Sequence, residues 1–362
     1  MPQKANQIEH PCPNCGGTAR FYAQIDNSPC LQNVLYRSRS DAQHTQTVNA
    51  RFFVCESCVY LFNPDFSVKE THYDLDYNND QSRSRVYREH MQSVSQFIGK
   101  YIDQGDKVLE IGCGNGQLLG LLKDNGANIR GYDPSYQGDF GVEEYISKDY
   151  WSPQQDDPHD LIILRHTLEG LHQPTELFQQ IAEISTNDTT LYIEFNDLGS
   201  ILRNGEMCNL YHECARYFSI TSISMFLAKF GFEVHAIEHY AGRNWLGIIA
   251  RRLIIGQAKI ANMTLMKPYK RILIWGIAGR SIQFITHNSV PLESIEFAVD
   301  LDPRKQGKYL PVKGQKILSP EEAIRYKPEL VIVLNSAYKE EVRKHFNYTV
   351  KILTAKDIYQ SQ

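Results

Sequence analysis

The stretch that most limits what this chain can fold into is Lys107 to Leu122, KVLEIGCGNGQLLGLL. A short apolar run, Val108 to Ile111, passes straight into Gly112, Gly114 and Gly116, and helix periodicity begins at Gln117. Strand, glycine turn and helix opening in that order form the first βα unit of a nucleotide-binding sheet. Glycines let the main chain turn sharply and leave bare backbone for a ligand, and the helix start beyond them offers unpaired N–H groups. The dinucleotide pattern G-x-G-x-x-G fits less well, because the three glycines are evenly spaced and position 117 is Gln.

The flanks narrow the ligand. Glu110 lies in the strand, one residue before Ile111 and the first glycine, and Asn115 sits within the turn. Asp133, in RGYDPS, follows at roughly the twenty-residue distance where an acidic side chain meets ribose hydroxyls in such folds. The pattern resembles motifs I and II of class I S-adenosylmethionine (SAM) methyltransferases. That resemblance implies that Glu110, Gly112, Gly114, Asn115, Gly116 and Asp133 hold SAM.

With 362 residues the chain has room for two or three domains. Residues 1–70 carry two C-x-x-C pairs, Cys12/Cys15 and Cys55/Cys58. Four thiolates close the shell of one tetrahedral Zn²⁺, which would hold a unit too small to fold on core burial alone. The metal is therefore expected to be structural. No thioredoxin-like βαβ precedes the pairs, which argues against a redox role.

Residues 71–266 are expected to form the methyltransferase domain. Met91 to Ile102 spaces its apolar residues as one helix face. Further strands are predicted at 128–132, 144–147, 160–164, 190–195, 233–239 and 247–250, with helices from Pro174 and over 220–230, the latter stopped by Gly231. In an open α/β sheet ligands sit beyond the carboxyl ends of the strands, which places the glycine turn, Asp133, His166 and Asn196 at one edge. From 267 to 362 the pattern restarts as a second, smaller parallel α/β unit. It carries G-x-x-G (Gly276, Gly279) and serves either a second nucleotide or as a platform.

Chemistry is expected in the segment GEMCNLYHECARYFSITSI. It concentrates Tyr211, His212, Glu213 and Cys214, with Arg216, Tyr217 and Ser219 close by. Methyl transfer needs an in-line nucleophile about 3 Å from the methyl group, and a base where the nucleophile carries a proton. Adjacent Tyr, His and Glu can supply the base and its orienting partner. The bland alternative is a solvated helix start in which only Tyr217 and Phe218 pack. His166, at the end of a strand, is a second candidate. Tyr77 and the polar run to Arg85 are read as a cap on the pocket, His172 as a surface residue, and Asn196–Asp197 as a turn.

Lys+Arg 38 against Asp+Glu 42, a formal net charge of −4 and the absence of a long basic run exclude binding to nucleic acid through phosphate neutralisation. The start MPQKANQIEH has no apolar leader core, and no apolar run is long enough to span a membrane. A cytoplasmic protein is expected, monomeric or weakly self-associating, acting on a small molecule.

Over nearly its whole length the chain resembles the three-domain, SAM-dependent C-methyltransferases of nucleotide-linked 4-keto-deoxysugars. The resemblance runs through the two C-x-x-C pairs, the serine-containing segment ending at His90, EIGCGNG, GYDP, RHTLEG, YHECARYFS and VDLDPRKQGKYLPVKG. It implies a zinc-binding N-terminal unit, a Rossmann-like SAM domain and a C-terminal Rossmann-like domain that helps hold the substrate nucleotide. It also implies removal of a proton beside a ketone, giving an enolate that takes the methyl group. Three departures stand out. The family's Y-H-E-H reads Tyr211-His212-Glu213-Cys214 here, so the position expected to supply the base is Cys. The family's L-E-H reads Leu168-Glu169-Gly170. Its H-G-G-S region is replaced by Ala241-Gly242-Arg243-Asn244-Trp245. SAM binding and architecture survive these changes. The base is left open among Cys214, Tyr211 and His212. An O or N acceptor needing less help, or a SAM- or nucleotide-sugar-binding protein without catalysis, remains an alternative.

Overall fold

The computed structural model describes residues 9–67, 69, 71, 77–153, 158–171, 173–253, 261–287 and 295–359. Two compact units divide at Ile254/Ile255. His172 lies outside the described residues, as does much of the polar segment before Tyr77.

The first unit opens with antiparallel strands β1 (Glu9–Pro11), β2 (Thr18–Pro29), β3 (Thr47–Cys55) and β4 (Tyr60–Phe62), with a short helix α1 (Arg39–Gln43) between β2 and β3. Helix α2 (Arg85–Ile98) follows, with the Ser84 side chain accepting from Tyr87 N at its start. It begins six residues before the predicted Met91 and stops before Ile102. Its first turn is solvent-facing and so carries no apolar periodicity, and the chain leaves the helix at Gly99.

The central sheet is then built from β5 (Lys107–Ile111), α3 (Gln117–Asp124), β6 (Asn128–Tyr132), β7 (Ile146–Ser147), β8 (Leu161–Arg165), α4 (Pro174–Ile184) and β9 (Thr190–Asn196). The predicted strand over 144–147 is mostly a 3₁₀ turn, Glu143–Tyr145, leaving two residues of strand. After α5 (Leu198–Asn204) come β10 (Arg216–Phe218), α6 (Ile220–Ala228), β11 (Phe232–Tyr240) and β12 (Trp245–Arg252). Among the described residues the sheet order is β11-β12-β9-β8-β5-β6-β7. It is parallel from β7 through β9, with β12 antiparallel to both β9 and β11. The order in which strands are added reverses between β5 and β8, the switch point at which such sheets bind ligands.

Strand β10 does not join that sheet. It pairs with β4 (Tyr217 opposite Leu61) and extends the N-terminal sheet. Phe53, Tyr60 and Phe62 accordingly share one core with Phe195, Phe218 and Phe226, and Phe52 and Leu61 pack with Leu198, Leu210 and Tyr217. The segment 211–214 runs directly into β10 and is thereby tied to the N-terminal sheet.

The second unit has parallel strands β13 (Ile272–Trp275), β14 (Ile295–Val299), β15 (Lys316–Leu318), β16 (Leu330–Val333) and β17 (Lys351–Thr354), ordered β15-β14-β13-β16-β17. Helices α7 (Gly279–His287), α8 (Pro320–Tyr326), α9 (Lys339–Lys344) and α10 (Ala355–Ile358) connect or follow them. This is the expected second α/β unit. Its Asp300 carboxylate accepts from Ile277 N and Lys305 Nζ, each at 2.8 Å, so the chain's own atoms already engage this glycine-turn carboxylate.

Candidate functional site

The glycine turn after β5 holds Gly112, Gly114 and Gly116 at φ 74°, 55° and 79°, a left-handed path that side chains with Cβ adopt at a cost. A Cβ on Gly116 would lie 2.7 Å from Val142 Cγ2, whereas one on Gly114 would meet nothing within 4 Å. Asp133, at the end of β6, accepts from Gly114 N (2.8 Å), Ser135 N (2.8 Å) and Ser135 Oγ (2.7 Å). A carboxylate has about four lone-pair sites, so one remains for a ribose hydroxyl. Asn115 Nδ2 donates to Asp80 Oδ1 at 2.7 Å and pins the loop before α2 beside the turn. Glu110 is 1 % exposed, and its Oε2 has no hydrogen-bond partner. Burial pushes its carboxyl up to about 8 despite nearby Arg165, with Glu194 and Asp133 adding to the rise. Open space at Gly114, a free acceptor site on Asp133 and an orphaned carboxyl beneath the turn fit SAM. Asp133→Ala is expected to weaken SAM binding about ten- to a hundredfold, since a charged hydrogen bond contributes roughly 1.5–3 kcal/mol. Calorimetric titration with SAM measures it.

Cys12, Cys15, Cys55 and Cys58 bring their Sγ atoms within 4.8 Å of one another. The pairs Cys12–Cys58 and Cys15–Cys55 lie 3.7 and 3.5 Å apart. The edge of a tetrahedron with Zn–S of about 2.3 Å is about 3.8 Å, so the donor set and its spacing are compatible with zinc. This knuckle grips α6 at both its start and its end. Asn14 Nδ2 donates to Ser222 O (2.9 Å), Ser219 Oγ donates to Cys58 O (3.3 Å), and Lys229 Nζ donates to Asn14 O.

A largely buried polar cluster forms around Glu213. Tyr77 Oη donates to Glu213 Oε1 (2.9 Å), Gln32 N donates to Glu213 Oε2 (2.6 Å), and Asn33 Nδ2 donates to Tyr77 Oη (3.1 Å). Burial raises the Glu213 carboxyl above its ordinary range, although both of its donors oppose that rise. Tyr211 interacts with Cys214, and both lie near Glu169. Burial and the neighbouring carboxylates hold Cys214 as a thiol, well above ordinary cysteine. Cys214 beside it, together with burial, keeps Tyr211 a neutral phenol. The segment 211–214 is thus not a solvated helix start. Ser219 caps α6 in a reciprocal box with Ser222, and Tyr217 Oη accepts from Tyr211 N, so both have structural roles. His212 is equally buried but sits against Asn63 and Phe66, with Nδ1 3.3 Å from Asn63 Nδ2.

His166 ends β8 with φ 49°, a conformation that side chains with Cβ hold only under constraint from their surroundings. Its Nε2 is 3.1 Å from Glu194 Oε1 and its Nδ1 is 3.6 Å from Glu169 Oε1. Burial lowers this imidazole, but the two carboxylates outweigh it and hold the pKa up to about 9. Glu194 is the hub. It also meets His90 Nε2 (2.9 Å), Arg165 Nε (3.1 Å) and Tyr192 Oη (2.9 Å). Burial would raise this carboxyl, but Arg165, His166 and His90 hold it well below the usual carboxylate range. Sequence reading passed over Glu194, Glu169 and Arg165. The available signal was a lone Glu inside the apolar strand TLYIEF, beside a strand ending in Arg-His. Asn196, read as a turn residue, donates from N (3.0 Å) and Nδ2 (3.3 Å) to Glu169 Oε1.

Fold, glycine turn and acidic residue together define a SAM-dependent methyltransferase. The family described as "Methyltransferase domain" matches residues 82–237, and the "C-methyltransferase C-terminal domain" matches residues 261–353. The chain thus carries a methyltransferase domain followed by a C-terminal domain of the kind found in C-methyltransferases. A curated relative, C-methyltransferase NovU of Streptomyces niveus, is 22 % identical over 312 residues, 69 % of this chain and 73 % of the relative. Among solved structures, the magnesium protoporphyrin IX methyltransferase of Synechocystis with bound S-adenosylhomocysteine is 16 % identical with a TM-score of 0.37, covering 49 % of this chain and 90 % of that one. A possible histamine N-methyltransferase of Thermotoga maritima is 20 % identical with a TM-score of 0.36, covering 46 % and 90 %. No helix among the described residues is long and apolar enough to cross a membrane.

Proposed function

We propose that this enzyme methylates a ring carbon beside the ketone of a nucleotide-linked keto-deoxysugar, with a structural zinc at the four cysteines. One observation carries the reading: the Glu213 carboxylate, raised by burial and fixed by Tyr77 and Gln32 N, lies near enough to the neutral donor Tyr211 to act on it electrostatically. That combination suits proton abstraction next to a carbonyl, where a carboxylate takes the C–H proton and a donor meets the oxygen as it gains charge. The relative's description as a C-methyltransferase supports a carbon acceptor. Bound SAM supplies an electrophilic methyl group. Glu213 removes the acceptor's α-proton, leaving the electron pair delocalised onto oxygen. Tyr211 donates a hydrogen bond to that oxygen. Cys214, held as a thiol, is not the base. His166, occupied at both ring nitrogens, positions Glu169.

The reading is tested by exchange without transfer. With S-adenosylhomocysteine bound in D₂O, a nucleotide-linked 4-keto-6-deoxyhexose is expected to incorporate deuterium beside its ketone, seen by mass spectrometry as a gain of about one mass unit. Exchange no faster than in buffer, with the sugar shown to be bound, would count against carbon activation and favour an O or N acceptor.

A further inference from the structure

A cavity of about 210 Å³ lies at the carboxyl edge of the central sheet, lined by Asn196, Ile201, Asn209, Ala241, Asn244 and Trp245. It is smaller than the roughly 300–1,000 Å³ pockets that enclose drug-sized ligands, and so is sized for one ring. Its position follows from strand order. The glycine turn closes β5, His166 follows in register at the end of β8, Asn196 ends β9 and Trp245 begins β12, opposite Asn196 in the ladder. Neighbouring strands are about 4.8 Å apart. The cavity therefore sits two to three strands from the glycine turn, with His166 and its carboxylate partners Glu169 and Glu194 between them.

The lining is anchored to that cluster. Asn196 is held by Glu169. Trp245 lies with its ring centroid 5.3 Å from His166 and 4.8 Å from His90. Asn209, two residues before Tyr211, donates from Nδ2 to Glu206 Oε2 at 2.6 Å. The rim bends through Ala241, Gly242 and Arg243, all left-handed at φ 48°, 67° and 78°. The turn keeps a glycine-like path although only one of the three is glycine. Asp197 N donates to Asn244 O at 2.9 Å and fixes the rim to the end of β9.

One side-chain N–H of Asn196 and one of Asn209 is thus engaged with a carboxylate, and each amide keeps a second N–H and a carbonyl oxygen with two lone pairs. Amides beside an indole select a polar substituent, a hydroxyl or an amino group, on a ring whose C–H face can pack against Trp245.

We propose that this cavity is the acceptor-ring subsite, and that Asn209 and Asn196 read a hydroxyl or amino group on the ring while Trp245 packs its face. This rests on the nucleotide-linked keto-deoxysugar reading and names the ring substitution that reading leaves open. Asn209 is a specificity-determining residue, distinct from the proton-transfer group Glu213.

The test titrates protein loaded with S-adenosylhomocysteine by calorimetry. The probes are three nucleotide-linked 4-keto-6-deoxyhexoses that differ at one ring carbon, bearing hydroxyl, amino or hydrogen. Wild-type protein is expected to bind the hydroxyl or the amino probe about tenfold tighter than the hydrogen probe, the contribution of one good hydrogen bond. Asn209→Leu should bring the preferred probe to the affinity of the hydrogen probe and leave the latter within twofold. Trp245→Leu should weaken all three alike. Unchanged affinity for S-adenosylhomocysteine reports that each variant is folded. Hydroxyl against amino preference identifies the donor. Equal binding of all three probes to wild type, or discrimination that survives Asn209→Leu, overturns the subsite. Failure of every probe to bind wild type instead overturns the keto-deoxysugar reading, and the subsite assignment falls with it.

Discussion

Glu213→Gln is expected to lower methyl transfer about a thousandfold while SAM affinity stays within twofold. General-base catalysis contributes roughly 10²–10⁴ to a rate, and the hydrogen-bond partners of the Glu213 carboxylate among the described residues are Tyr77 and Gln32 N rather than the glycine turn. The substitution preserves shape: Gln32 N keeps an oxygen partner, Tyr77 Oη turns to accept from the new NH₂ group, and the proton acceptor is lost. The pH dependence gives an independent sign. Burial raises the Glu213 carboxyl above its ordinary range. The base is competent only when ionised, so the acid limb of the kcat profile should fall at a pH above that of an exposed carboxylate. The variant's residual rate should lack that limb. Single-turnover assays across pH separate this from an effect on binding. A rate close to wild type in Glu213→Gln would move the base elsewhere, with Glu169 as the next carboxylate in the cluster.

Cys58→Ser is expected to abolish both the metal and the activity. Apparent zinc-binding free energies at four-ligand structural sites are roughly 10–16 kcal/mol and act as folding free energy. Here the consequence reaches the chemistry, because the knuckle holds the start of α6 through Cys58 O and Asn14, and the N-terminal sheet takes β10 as its edge strand. The segment 211–214 and the Gln32 and Asn33 contacts to Glu213 and Tyr77 depend on that sheet. Metal analysis of wild type purified without chelators should give about one zinc per chain. The variant should give none and lose β-sheet signal in circular dichroism. A metal-free wild type with full activity would remove the zinc from the account.

How much of this was legible in the sequence depends on the range of the forces involved. Buried parallel strands read directly, because a run such as Leu161–Leu164 must be apolar on both faces. The four-cysteine cluster read from spacing, since C-x-x-C encodes the local turn. The glycine turn did so for the same reason. What escaped was set by distant partners. Arg216–Phe218 is a strand only because Tyr60–Phe62 lies beside it, and three residues carry no period of their own. Glu194 becomes a hub only when α2 and β8 bring His90, Arg165 and His166 to it. His212 and Glu213, adjacent in sequence, face different partners, Asn63 for one and Tyr77 for the other. No periodicity distinguishes them. The Cys at position 214 left the base open in sequence. In the fold its burial keeps it a thiol, which shifts attention to the carboxylate before it.

The central claim is that a carbon receives the methyl group, and the product tests it most directly. Purified protein with SAM carrying a ¹³C methyl and a nucleotide-linked 4-keto-6-deoxyhexose is expected to yield a sugar whose labelled methyl shows one-bond ¹³C–¹³C coupling when the ring is also labelled. A labelled methyl coupled to no ring carbon, and therefore on oxygen or nitrogen, would contradict the account, as would a complex that holds both ligands and transfers nothing.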